Sequence, residues 1–345
     1  MPDRVGSSPW SAVGRWLKRI TAGLCWLYAV LVVGFALVRI IWPALPPPLA
    51  LVNSFTPWLY AGLPVVLLIG LILRSRPALL AGAVLGALFV GQYGARFLPN
   101  PGWVCPAERT LRVMTFNLGL GLSQPEALAV TIREQGADIV AVQEATEDTA
   151  RLFGLELGPV YPYSVLSSGA SKTGLYSRHP ILEQAWIAPA GGGRPSLEAQ
   201  VAWGDAMVTV YVVHPLPPGL AWYRDTGIPI GLDDGGPQRQ VEEIARRAAA
   251  RDGLVLVMGD FNMSDHTPAY AHTTEVLHDT YREAGWGFGF TFPNGWRVRG
   301  VQVPGPLTRF DHVLHSDGFC AQWARVGCEG GSDHCYVLAQ LAQGK

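Results

Sequence analysis

The chain has 345 residues, a formal net charge of −1, 49% hydrophobic residues and only 15% charged ones. Soluble chains carry about 25% charged residues, so an ordinary soluble composition is excluded, and buried helices of a soluble protein remain the alternative to membrane spans. The length suits one large domain with an appendage.

The charge deficit sits at the front. From Ala22 to Phe97 the only charged residues are Arg39, Arg74, Arg76 and Arg96. Three apolar runs fall there, about 22–42, 57–73 and 77–97. Each approaches the roughly 20 residues needed to cross hydrocarbon, the second being short, so residues 1–98 read as an anchor of three transmembrane helices. A cleaved signal peptide fits poorly, because two more runs follow the first. Trp10, Trp16, Trp26, Trp42, Trp58 and Trp103 lie mostly near the proposed ends, as an interfacial belt requires. Arg15, Lys18 and Arg19 precede the first run, Arg74 and Arg76 divide the second from the third, and the loop 43–56 is uncharged. The positive-inside rule then places the N-terminus and the 74–76 turn in the cytoplasm, and three passes place the rest outside. Arg39 and Arg96, on the outer side, would snorkel to headgroups.

Pro99, Pro101 and Pro106 stiffen a linker over 99–110, and residues 111–345 read as a globular domain. From Cys105 on there are 18 Lys/Arg and 26 Asp/Glu, a balance of about −8, with no Lys/Arg run. That is a poor composition for gripping long nucleic acid. Cys105, Cys320, Cys328 and Cys335 are an even number that would pair in an exported domain, with connectivity open; Cys25 lies in the first run.

Along this domain, strands repeatedly end in polar residues. Leu111 to Asn117 alternates and ends in Asn; after a helix over 124–135, Asp138 to Glu144 ends in Gln-Glu. Thr173 to Ile181 contains Tyr-Ser-Arg178-His-Pro. Residues 197–203 and 207–214 form a hairpin about Gly204-Asp205, with His214 at its far end. The Pro/Gly-rich stretch 215–236 reads as a long loop, in which Trp222, Tyr223 and Arg224 are candidates to meet a substrate. An amphipathic helix over 237–251 leads into the apolar strand 254–258. Gly259 ends that strand, and period-two alternation points Asp260 and Asn262 the same way. A strand ending in an Asx turn would account for Asp260 and Asn262 alone. Arg309-Phe-Asp311-His and Ser-Asp333-His334 close the domain. Several such ends at one edge make an acidic pit of hard oxygen donors, which suits Mg²⁺, or Mn²⁺, rather than zinc.

These stretches run in a telling order: Thr-Phe-Asn117, Val-Gln-Glu144, Tyr-Ser-Arg178-His-Pro-Ile, Val-Val-His214, Gly-Asp260-Phe-Asn262, Arg-Phe-Asp311-His and Ser-Asp333-His334. In that order the domain resembles the endonuclease/exonuclease/phosphatase superfamily over about 111–341. The resemblance implies a four-layered α/β sandwich and a metal-dependent phosphohydrolase. It implies that Glu144 is the principal Mg²⁺ ligand, with Asn117 beside it and Asp333 as a further acidic group. It casts His334 as a contact to the scissile phosphate, oriented by Asp311. Asp260 becomes the base for water and Asn262 a donor to phosphoryl oxygens. His214 contacts phosphate or protonates the leaving group. Roles of base and acid vary among members. Arg178 either ion-pairs a loop or binds phosphate. The aromatic stretch Trp286, Phe288, Phe290, Phe292 and Trp296 is a packed flap or an apolar lip for a lipid chain.

Two departures bear on substrate. Nucleases of the superfamily usually carry basic surfaces, and most members lack such an anchor. The anchor and the 291–311 segment resemble a bacterial subgroup that includes membrane-bound glycopeptide-resistance proteins, which implies a lipid-linked phosphate substrate such as a polyprenyl pyrophosphate or phospholipid. The expectation is thus a multi-pass cell-membrane protein with an extracytoplasmic catalytic domain. The alternatives are an extracytoplasmic Mg²⁺-dependent nuclease and a non-catalytic receptor or scaffold.

Overall fold

The helices of the apolar stretch follow its prolines and glycines. The computed structural model describes residues 9–98, 109–119, 124–167, 169–224, 228–298 and 300–344. Most of the expected linker, with Cys105, lies outside them. The chain begins with α1 (Pro9–Ile41), α2 (Pro47–Ser54), a 3-10 turn over Thr56–Tyr60, α3 (Leu63–Ile72) and α4 (Arg76–Tyr93). Two helices are long and apolar enough to cross a membrane, Val13–Ile41 and Arg76–Phe97. The expected middle span is not one helix. Pro57 and Pro64 each remove an amide donor, and the run breaks into the 3-10 turn and the ten residues of α3, about 15 Å long. It supplies a third span only if counted together with α2.

The chain divides into two compact units, Met1–Leu45 with Phe55–Phe97, and Pro46–Ser54 with Leu98–Lys345. The first packs through small residues: Ala29, Ala78 and Ala81 are fully buried. The second includes α2. The uncharged segment expected to be a plain loop between spans is therefore a helix that belongs with the globular domain.

That domain continues with β1 (Thr110–Asn117), α5 (Pro125–Gln135), β2 (Ile139–Gln143), α6 (Glu147–Glu156), β3 (Tyr163–Ser167), β4 (Thr173–Ser177), β5 (Ile181–Ile187), β6 (Ser196–Trp203) and β7 (Ala206–Val213). Then come β8 (Gly219–Trp222), β9 (Pro229–Asp233), α7 (Gly235–Ala249), β10 (Leu254–Asp260), α8 (Pro268–Thr274), β11 (His278–Asp279) and α9 (Thr280–Ala284). The short β12 (Arg297–Val298) and β13 (Val301–Gln302) precede β14 (Asp311–His315), β15 (Phe319–Gly327) and β16 (Tyr336–Gln343).

Two six-stranded sheets form, ordered β15-β16-β1-β2-β4-β3 and β11-β14-β10-β7-β6-β5. Alternation sorts the side chains into layers. Val113, Leu256, Met258 and Val210 fill the space between the sheets. Met114, Phe116, Val140 and Val142 face outward against Leu128, Ile132 and Phe153 of α5 and α6. Tyr211, Val213, Val255 and Val257 face Val241 and Ile244 of α7 and Ala269 of α8. The result is the mixed α/β, four-layered arrangement that the motif order implied.

Two parallel pairs place the site. β1 runs parallel to β2, and β10 parallel to β7, so each pair delivers its carboxyl ends to one edge. The stretch 215–236, expected as a loop, contains the two-stranded β8–β9 ribbon.

Candidate active site

Gly259 explains how two functional strands come so close. Its φ is +151°, and a Cβ there would stand 1.9 Å from the carbonyl oxygen of Val213. Only a glycine lets β10 meet the end of β7 this tightly. Asp260 and His214 then stand side by side, with His214 Nε2 3.8 Å from Asp260 Oδ2. The strand runs on through Asp260 rather than stopping at Gly259. The chain turns at Asn262, whose φ is +51°, so the alternation expected from Asp260 to Asn262 does not hold. Instead the Asn262 N–H donates to Asp260 Oδ1 at 2.8 Å, and its side-chain amide donates to the Pro215 carbonyl at 3.0 Å.

The first sheet meets the second here. Asn117, at the end of β1, donates from Nδ2 to Asp260 Oδ2 at 2.9 Å and accepts from Gly119 N at 3.0 Å. Glu144, just past β2, has φ +61°, an unusual conformation for a non-glycine residue and one that turns it out of the strand line. Its Oε1 lies 3.7 Å from His214 Nε2. Opposite β10, Asp311 opens β14 and is the ladder partner of Asp260. His334 Nδ1 lies 2.9 Å from Asp311 Oδ2, and its Nε2 lies 3.9 Å from Asp260 Oδ2.

The loop that carries His334 is braced from several sides. Ser332 Oγ donates to the Asn117 carbonyl at 2.7 Å and accepts from His334 N at 3.0 Å. A Cys328–Cys335 disulfide closes the loop. Asn294 donates to two carbonyls within it, those of Cys328 and Ser332. Thr291 Oγ1 accepts from the amides of Phe310 and Asp311. Phe292 stacks on Phe310, lies 4.7 Å from the His334 ring, and meets Trp296 edge-on. Trp296 Nε1 donates to Asp333 Oδ2 at 3.3 Å. Part of the aromatic stretch therefore walls the site, while Trp286 stays exposed.

Burial sets the protonation states. For Asp260, burial and the neighbouring Asp311 outweigh His334 and the amide donors, and push its carboxyl up to about 7. For His334, burial alone would lower the ring's basicity. The carboxylates of Asp311 and Asp260 more than offset it and push the value up to about 10, so the imidazole is a cation at neutral pH. His214 is the reverse case. It is fully buried, and burial first, then Arg194, His334 and Lys172, hold it well below its ordinary value.

Arg194 NH1 lies 2.7 Å from His214 Nε2 and 3.1 Å from its Nδ1, so the guanidinium reaches across the ring. His214 itself stands at the site edge, as expected. Arg194 is the residue that sequence reading missed. It ends the Gly191-Gly-Gly193 loop between β5 and β6, and Gln240 of α7 fixes its carbonyl at 2.6 Å. A lone arginine after a glycine run was the available signal.

Of the two readings of Arg178, loop ion pairing is the one seen. β4 runs antiparallel to β2, pairing Gln143 with Thr173 and Ile139 with Ser177. Arg178 therefore lies at the far end of β2 from Glu144, 3.5 Å from Asp138 and over the Tyr161 ring. Trp222 and Tyr223 are half-exposed on or beside β8.

The donors at the edge fit a hard cation. Asp311 Oδ1 and Asp333 Oδ1 are buried without a hydrogen-bond partner among the described residues. Buried carboxylate oxygens are ordinarily satisfied, and a cation is one way to satisfy them. Asp260, Asp311 and His334 also offer ligand atoms within 4.8 Å of one another. Within that trio His334 Nδ1 already meets Asp311 Oδ2 at 2.9 Å, which leaves Nε2 facing Asp260. Glu144, Asp333 and Asn117, the set that the family resemblance implies for a divalent ion, lie outside that trio.

The profile of the Endonuclease/Exonuclease/phosphatase family matches residues 114–334. Among solved structures, the endonuclease/exonuclease/phosphatase from Bacteroides vulgatus is similar at 18% identity and TM-score 0.54, over 68% of this chain and 100% of that one. D. rerio TDP2, complexed with a single strand DNA product, is similar at 17% identity and TM-score 0.55, over 68% of this chain and 100% of that one. A family protein from Leptotrichia buccalis follows at 18% and 0.50, over 67% and 99%. No curated protein matches. These structural likenesses establish the fold, and the profile, spanning well over half of the chain, establishes that it belongs to the endonuclease/exonuclease/phosphatase family, whose members hydrolyse phosphoester bonds.

Proposed function

We propose that this protein is a membrane-anchored, extracytoplasmic, metal-dependent phosphohydrolase that cleaves a phosphoester or phosphodiester in a lipid-linked substrate. The observation that carries the chemistry is the Asp260–His334–Asp311 arrangement beside Glu144 and Asp333. The apolar helices support the anchor. The Cys328–Cys335 disulfide, together with a disulfide-bonded Cys320, supports an oxidising compartment. The basic residues at 15–19 and 74–76 support the same side, with the broken middle segment counted as one pass.

Each residue then has a task. Asp260 is held at both oxygens by Asn117 and Asn262, which aims it as the base for an attacking water. His334, fixed through Nδ1 by Asp311, presents Nε2 to a phosphoryl oxygen and stabilises charge that grows there during attack. Arg194 adds a second cation, and the neutral His214 positions it. Asn262 retains an amide hydrogen beyond the one it gives to Pro215. Mg²⁺ or Mn²⁺, held by Glu144 with Asp333 and Asn117, would neutralise charge on the phosphate. Trp296 and Phe292 give this edge an apolar wall, in keeping with a substrate that has an apolar part.

The test is a substrate panel for the full-length protein in nanodiscs with Mg²⁺: polyprenyl pyrophosphate, phospholipids, a water-soluble phosphodiester and single- and double-stranded DNA. The reading expects the highest kcat/KM on a lipid-linked phosphate. Preferred cleavage of DNA would overturn it in favour of a nuclease, and inactivity on every member in favour of a receptor.

A further inference from the structure

The β8–β9 ribbon is the least protein-like surface of the catalytic unit. Leu216, Leu220, Trp222, Tyr223, Ile228 and Ile230 are each 41–51% exposed within fifteen residues of chain. From 216 to 232 the sequence carries two charges, Arg224 and Asp225, and β9 ends at the exposed Asp233; Arg224 lies over the Tyr223 ring. A two-stranded ribbon is marginal in water, and soluble proteins rarely expose contiguous apolar patches beyond a few hundred Å². Something covers this one.

The ribbon is not alone. α2 lies against β9, where a Cβ on Gly231 would stand 3.0 Å from Pro47 Cβ. α2 carries no charge, and Val52 on it is exposed. The chain that leaves the apolar helix α1 at Ile41 enters α2 after only five residues. Both elements also touch the loops of the site. Asn53 of α2 donates to the His266 carbonyl at 2.8 Å, and Pro215, at the foot of the ribbon, accepts from Asn262.

We propose that α2 and the β8–β9 ribbon form one bilayer-docking face that seats the catalytic unit on the headgroup layer. Tryptophan and tyrosine favour that layer, and an arginine at its rim reaches phosphates. The continuity with a membrane-crossing helix selects lipid over another protein. The inference rests on the reading that α1 and α4 lie in a bilayer. Its consequence is that the floor of the site, through Pro215 and His266, is registered to the membrane surface.

The experiment uses the full-length protein in nanodiscs, with a bimane label at Leu220→Cys in a Cys25→Ala background. Leu155→Cys on α6, where Leu155 is 72% exposed, is the aqueous reference. Docking predicts strong quenching of the 220 label by doxyl lipids and weak quenching by iodide, with the opposite at 155. Iodide quenching of both labels alike would overturn the proposal. Protection of the 220 label from both quenchers would also overturn it, in favour of a protein cover. A second variant, Leu220→Asp with Ile230→Asp, should cut turnover of a bilayer-held phosphoester about tenfold and leave a water-soluble phosphodiester unaffected. Equal loss on both would overturn the proposal. Lipid quenching at 220 without turnover of any lipid-linked phosphate would leave docking standing and sink the substrate reading alone.

Discussion

Asp260 and Asp311 stand directly opposite each other in the antiparallel β10–β14 ladder, and the His334 imidazole bonds one and faces the other. Two buried carboxylates so placed repel unless a cation joins them. Here the cation is a histidine that Asp311 orients. His334→Ala should therefore make Asp311 largely irrelevant to rate. Each of His334→Ala and Asp311→Ala should cost about 2–4 kcal/mol in transition-state stabilisation. The double variant should match His334→Ala. Multiplying effects, with a fall in Tm for Asp311→Ala, would mean that Asp311 only braces β14.

Glu144→Ala should remove most activity and weaken divalent-cation binding while the fold stays intact. Its carboxylate turns out of β2 toward the site edge. Binding is read directly from Mn²⁺ paramagnetic resonance without turnover. Unchanged Mn²⁺ affinity would move the metal to other residues, with the Asp260–Asp311–His334 trio the first alternative.

Arg194→Ala should weaken competitive inhibition by inorganic phosphate as well as lower kcat/KM, each by about 1.5–3 kcal/mol, the range for a hydrogen bond to a charged group. Arg194→Lys should recover part of the loss, since it keeps charge without the fork. If the phosphate inhibition constant stays fixed in both, Arg194 serves only to cover His214.

Arg309 should govern acid stability. It is buried beneath the site, 2.5 Å from Asp279 and 3.4 Å from Asp265. Burial would raise both carboxyls, but Arg309 at Asp279, and Arg282, His266 and Arg309 at Asp265, hold them well below the usual range. A depressed folded value stabilises above the unfolded one and is lost as pH falls, so Tm should drop steeply once pH falls below about 4. Arg309→Met should cost roughly 3–5 kcal/mol at pH 7 and flatten that acid slope. An unchanged slope would assign the acid transition to other groups.

A reporter fused after Lys345 should be active only outside the cytoplasm. Three passes require the broken segment to count as one. Cytoplasmic activity would mean two passes, Val13–Ile41 and Arg76–Phe97, and would remove the export argument from the disulfides.

Much of this site is readable from the chain because alternating strands announce their polar ends: Asn117, Glu144, His214 and Asp260 all follow apolar runs. Strand sense is not readable in that way. Arg178 follows a strand as Glu144 does, yet β4 runs opposite to β2 and carries it to the far end. Arg194 follows no periodic element, and its contact with His214 spans twenty residues. The break in the middle run escapes notice for another reason. Hydropathy counts side chains, whereas Pro57 and Pro64 act on the backbone. For α2, a short uncharged run looks the same whether it meets lipid or β9.

The membership of α2 in the catalytic unit also orders biosynthesis. Residues 46–54 emerge from the ribosome before two apolar helical segments, and their partner β9 follows about 175 residues later. The helix must wait while the intervening chain is inserted and the sheets assemble. A fragment begun at residue 99 would never meet it. Such a fragment would bare the face of β9 at Gly231 on a ribbon that already exposes Leu220 and Ile230, and would be expected to aggregate although every catalytic residue is present.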